Sequence, residues 1–108
     1  IEVLAVGTNS MATASMLRAG ADQAATGENS VVVASSRAEV ILGPIGIVIA
    51  DSMMGEITPR MAVAIGQSHA KRILIPVNHC DNIIVGVAES SMTRNVQNAM
   101  TALEALIS

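Results

Sequence analysis

The sequence predicts an α/β fold with a mostly parallel sheet, and three observations predict it. Four apolar runs each give way to a small, polar or glycine-bearing loop: Val3-Leu4-Ala5-Val6 to Gly7-Thr8-Asn9-Ser10, Val40-Ile41-Leu42 to Gly43-Pro44-Ile45-Gly46, Ile73-Leu74-Ile75 to Pro76-Val77-Asn78-His79-Cys80, and Ile83-Ile84-Val85 to Gly86. Segments with helical spacing or capping residues lie between most of these runs. The length of 108 residues holds a single domain. Strand and helix alternating within one domain is the pattern of a three-layer domain, a sheet covered by helices on both faces.

Residues 1–6 are apolar, partly β-branched and closed by Gly7, so they read as a buried strand. Asn9 or Ser10 can cap a helix over residues 11–19, and Gly20 stops it. Residues 21–26 are Ala-rich and suit a short strand buried on both faces. After Gly27, residues 28–37 pose a conflict. Val31-Val32-Val33 favours strand, whereas Glu28 and Asn29 at the start, and the position between two strands, favour helix. The expectation is a helix. Residues 39–42 form the next strand and 43–46 a turn. Residues 47–54 are apolar on every side except Asp51 and Ser52, which predicts a deeply buried helix.

Thr58 is a strong N-cap and Pro59 a good first helical residue, giving a helix to about Ser68. Residues 71–77 are a strand and 78–81 a loop. Residues 82–88 follow closely enough to form an antiparallel edge strand. Ser90 or Ser91 opens the last helix, whose Met92, Val96, Met100, Leu103 and Ile107 recur at helical spacing.

Composition narrows the function classes. Hydrophobic residues make up 51%, yet Phe, Tyr and Trp are absent, so Ile, Val, Leu, Ala and seven Met must fill the core. Nucleic-acid modules need aromatic platforms or a basic stripe. This chain has neither, and its formal charge is −3. Charged residues are only 14%, which points to surface hidden in a homo-oligomer, most simply a homodimer. A lone cysteine, Cys80, suits a reducing cytoplasm. No apolar run approaches a membrane span of about 20 residues, and no basic, then apolar, secretory leader is visible.

In an open α/β sheet, the loops after parallel strands gather at the carboxyl edge and line a crevice. Here they contribute Gly7, Thr8, Asn9 and Ser10, then Gly27, Glu28 and Asn29, then Gly43 and Gly46, and finally Asn78. Hydroxyls, amides and N–H groups at helix starts bind anions without Lys or Arg. The leading expectation is therefore a small anionic metabolite or nucleotide. The same residues also serve as ordinary caps and turns. Gly43-Pro44-Ile45-Gly46 matches neither the dinucleotide fingerprint nor a P-loop.

A second expectation is an enzyme using this crevice, with Asp51, Glu56 or His79 as acid–base group. Asp51 is notable because an unpaired charge inside an apolar segment is costly. It also has the ordinary reading of an ion pair. A third is an assembly protein with no ligand. Two His and one Cys at their spacings do not make a metal site.

The stretches Ala5-Val6-Gly7-Thr8-Asn9, Leu17-Arg18-Ala19-Gly20-Ala21, Ala25-Thr26-Gly27-Glu28-Asn29, Gly43-Pro44-Ile45-Gly46-Ile47, Gly55-Glu56-Ile57-Thr58-Pro59 and Ile75-Pro76-Val77-Asn78 resemble a small bacterial family known as a domain of unknown function. The resemblance implies a Rossmann-like cytoplasmic protein and no established activity, cofactor or catalytic residue. Members of that family start with a further strand and a Gly-rich turn. That turn resembles a dinucleotide- or phosphate-binding loop, and two expectations follow: an N-terminal strand-turn-helix lies outside this sequence, taking the best nucleotide-binding element with it, or the element is absent and a nucleotide is the less expected ligand.

Overall fold

The computed structural model describes residues 1–77, 82–85 and 92–108. Strand β1 (Leu4–Gly7) leads to helix α1 (Ser10–Arg18), β2 (Gln23–Thr26), α2 (Glu28–Arg37), β3 (Val40–Pro44), a short 3-10 helix (Ile45–Val48), α3 (Pro59–Gln67), β4 (Lys71–Ile75) and α4 (Met92–Ile107). The alternation read from the sequence is an α/β architecture with parallel strands. β1 and β2 run parallel, with Leu4 opposite Gln23 and Gly7 opposite Thr26. β3 and β4 run parallel, with Val40 opposite Lys71 and Pro44 opposite Ile75. A parallel pair requires a crossover, and α1 and α3 supply one for each pair. Among the described residues the two pairs share no ladder of hydrogen bonds.

Local chemistry explains most of the helix ends. Asn9 is the N-cap of α1, and its Oδ1 accepts from Ala12 N at 2.8 Å. Thr58 caps α3 in the same way, accepting from Met61 N at 3.2 Å, with Pro59 at the first position. α2 is helical in spite of its three valines. Gly27 turns the chain with a φ of 103°, Glu28 lies in the first turn and Arg37 in the last. Val31 then packs on the core cluster of Ile57, Met61 and Ala62, which Ile47 and Met53 also join. Burying a side chain such as Met61 or Ile57 contributes about 2 kcal/mol, more than the few tenths by which propensity opposes a valine in a helix.

Two expectations are corrected. Residues 47–54 do not form a buried helix. The 3-10 turn ends at Val48, and Asp51, Met53 and Met54 adopt left-handed conformations with φ of 64°, 56° and 58°. A segment that is apolar all round carries no 3.6-residue signal to hold a helix. This one instead closes on itself, with Asp51 N donating to Ile57 O at 2.7 Å and Ile57 N to Ser52 O at 3.2 Å. Asp51 is exposed, so its charge meets water and needs no partner. Residues 82–85 do not form a strand either: Asn82 makes an isolated bridge, and Ile83 and Val85 are exposed. The rest of the expected edge strand, residues 86–88, lies outside the described residues.

α4 packs chiefly on β4. Ala99 is buried, whereas Met92, Val96, Met100 and Ile107 of its apolar stripe remain exposed. No helix among the described residues is long and apolar enough to cross a membrane.

Candidate functional site

The carboxyl ends of β1 and β2 lie side by side, because Gly7 is paired with Thr26. Gly27 N then donates to Gly7 O at 3.0 Å, so the two loops stay in register beyond the ladder. Gly7 lets α1 begin directly against β1. A Cβ there would lie 2.3 Å from Thr13 Oγ1 and 2.8 Å from Thr13 N. Buried Thr13 fastens this corner: its hydroxyl lies 3.0 Å from Asn9 O, 3.3 Å from Ala25 O and 2.8 Å from Thr26 Oγ1. One side chain thus joins the start of α1 to the end of β2.

A third segment reaches the same edge. Glu56, just ahead of α3, accepts from Asn9 Nδ2 at 3.0 Å and from Thr8 Oγ1 at 3.2 Å through the same oxygen, Oε1. Beside it, Arg60 Nη1 lies 3.3 Å from Glu28 Oε1. The Thr58 hydroxyl and then the Arg60 guanidinium hold the Glu28 carboxyl below the ordinary value. Both groups favour the charged carboxylate. Glu28 also sits in the first turn of α2, where a carboxylate complements the helix dipole.

The expected loop residues therefore divide. Thr8, Asn9, Gly27 and Glu28 come together with Glu56 at one edge, and exposed Ser10 and Asn29 begin the two adjoining helices. Gly27 has no side chain to cap α2, so the opening N–H groups of that helix lack the acceptor that Asn9 gives α1. Gly43 and Gly46 serve packing. A Cβ on Gly43 would lie 3.0 Å from Ile47 Cδ1, and Gly46 is buried, its carbonyl accepting from Ser52 Oγ and from Ile49 N. Asn78, His79 and Cys80 lie outside the described residues.

Sequence reasoning did not single out Arg60 or Thr13. Both act through partners far away in the chain, and only Thr58 had a local signal, its position ahead of Pro59. A groove of about 410 Å³ runs between α2 and α3, over Val32, Ser35, Val63, Ala64 and Gln67, with Arg60 and His69 also in its wall. None of the described loop residues expected from the sequence lines it. Among the described residues, no group of three or more His, Cys, Asp or Glu is placed to hold a metal ion.

The edge offers a hydroxyl and an amide donor from the β1 loop, the uncapped start of α2, and two carboxylates, one of them paired with Arg60. Such a set can hydrogen-bond an anionic group and accept from hydroxyls beside it.

The family model described as Domain of unknown function (DUF3842) matches residues 1–108, so the chain belongs to that family. No curated protein and no solved structure matches it.

Proposed function

We propose that this member of the DUF3842 family binds a small anionic metabolite or nucleotide, at the carboxyl edge of a Rossmann-like sheet. The observation that carries the reading is the meeting of Thr8 and Asn9, which follow β1, with Glu56, which precedes α3. Segments from both strand pairs share one edge, and the polar groups there exceed what capping requires. Asn9 needs only its Oδ1 to cap α1; its Nδ2 is not used by the cap and donates to Glu56. The uncapped start of α2 adds backbone donors for a phosphate or carboxylate.

The test is a thermal melt followed by circular dichroism, with nucleotides, dinucleotides and sugar phosphates as a panel. A ligand at a hundred times its dissociation constant adds about 2.7 kcal/mol, a rise in Tm of about 10 °C for a domain of this size. Asn29→Asp places a second carboxylate at the start of α2 and is expected to abolish that rise. A panel that leaves Tm unmoved overturns the reading.

A second reading has its own observation. The exposed Met92, Val96, Met100 and Ile107 of α4 favour self-association, as does the low content of charge. Sedimentation of the chain at several concentrations tests it: a monomer throughout rules it out.

A further inference from the structure

We propose that residues 49–57 are a strap whose tip Glu56 latches to the β1 loop, and that an incoming anion frees the tip by taking Thr8 and Asn9 from Glu56. The inference rests on the anion-binding reading for its trigger, and on the geometry of the strap for the rest.

Four observations support it. First, the strap holds its own shape. Ser52 N bonds Ile49 O, Gly55 N bonds Asp51 O, Glu56 N bonds Met53 O, and the Asp51–Ile57 and Ser52–Ile57 bonds close its base. Second, its base is fixed and only its tip, residues 54–56, is free. Ile57 is buried in the core, Met53 packs on that core and Ser52 is tied to the Gly46 carbonyl, while Met54 is fully exposed. Third, the side-chain bonds found between the strap and the β1 loop both end on Glu56, and both lie in exposed surroundings. Such bonds exchange readily with water and hold weakly. Fourth, Asp51, Met53 and Met54 are left-handed without being glycine. That conformation is disfavoured for L residues, and a tie at the tip can help to hold it.

The chemistry sets the direction. Glu56 presents to Thr8 and Asn9 the same kind of group, a carboxylate oxygen, that an anionic ligand would bring. It therefore competes with the ligand for these donors. Its removal is expected to strengthen anion binding, whereas a carboxylate that gripped the ligand would weaken binding when removed.

Met11 and Met54 are both exposed and stand on the β1 side and the strap tip. Spin labels on Met11→Cys and Met54→Cys, in a Cys80→Ser background, report the distance between them. The latched strap gives one narrow distribution. Glu56→Ala is expected to broaden and lengthen it, and inorganic phosphate to do the same in the protein with Glu56 intact. In parallel, Glu56→Ala is expected to bind inorganic phosphate about tenfold more tightly, as read by the shift in Tm. Thr8→Val removes one tie from the other side, leaves Glu56 in place, and is expected to broaden the distances as well.

An unchanged distribution in both Glu56→Ala and Thr8→Val overturns the latch. Where the intact protein binds phosphate measurably, equal or weaker binding by Glu56→Ala overturns it too. Broadening in both variants, with no response to phosphate or to any member of the panel, keeps the latch and removes the anion-binding reading.

Discussion

The two strand pairs are built from the same unit and joined in different ways. β1 passes to α1 through Thr8 and Asn9 alone, with Gly7 admitting the helix against the strand. β3 passes to α3 through residues 45–58, which fold into a 3-10 turn and the strap. In the first pair, strand end, cap and helix follow each other in sequence, so local chemistry settles the geometry. In the second, the connection is long enough to have a structure of its own. It settles by burying Ile57 and Met53 against Met61 and Ala62. The short connection gives precision, and the long one gives reach: it carries Glu56 across to Thr8 and Asn9.

The core beneath the long connection is the place to break this comparison most severely. Met61 is 3% exposed, and Met61→Ala is expected to cost about 3 kcal/mol in urea unfolding followed by circular dichroism. A loss under 1 kcal/mol would mean that the strap does not depend on that core.

The two glycines at the strand ends come next. Gly7→Ala puts a methyl within 2.8 Å of backbone at Thr13 N, which α1 can relieve only by moving. The expected loss is about 2 kcal/mol. Gly43→Ala meets only the end of the Ile47 side chain, at 3.0 Å, and a rotation there limits the loss to about 0.5 kcal/mol. Equal losses in the same assay would erase the distinction between a tight and an adaptable connection.

The caps are matched. Thr58→Ala is expected to cost about 1 kcal/mol of stability, and Asn9→Ala a similar amount. They differ in what else they release. Thr58→Ala removes the hydroxyl that does most to hold the Glu28 carboxyl down, so the Glu28 carboxyl, followed by NMR titration, should move up toward its ordinary value. Asn9→Ala should leave it in place.

Strain separates the two connections in the opposite direction. Met54 is exposed with φ of 58°. Met54→Gly removes a left-handed penalty and is expected to raise stability by about 0.5–1 kcal/mol. A fall in Tm would show that the Met54 side chain holds the strap closed.

The smallest effect is on pH. The folded Glu28 carboxyl lies below its ordinary value, so its contribution is present above the unfolded value and fades as pH falls through the folded one. Glu28→Gln should remove that part of the acid limb of the Tm–pH curve. Because Glu28 and Arg60 are both partly exposed, added salt should shrink the difference.

How much was legible in the sequence follows the same division. The order of β1, α1, β2, α2, β3, α3 and β4, the caps Asn9 and Thr58, and the role of Pro59 could be read because each depends on neighbours within about four residues. The fate of residues 47–54 could not. An apolar run with no periodicity is compatible with a helix, a strand or a packed loop, and only its contacts with α3 choose among them. The site divides likewise. Its loops were visible as strand ends, and Thr8, Asn9, Gly27 and Glu28 do come together. The Glu56 bonds and the Glu28–Arg60 pair were not visible, since the partners stand far apart in the chain and share no spacing rule.

The sequence by itself determined the alternation of strand and helix, where most helices start, and membership of a parallel α/β class. Hydrophobic period and capping chemistry act over one or two turns and need no knowledge of the rest. Tertiary structure alone decided which loops share an edge, that Asp51 faces water, that Gly43 and Gly46 serve packing, and that Glu56 reaches the β1 loop. Those outcomes depend on how two strand pairs and their connections lie in space, and charge or polarity in the chain does not encode a distance.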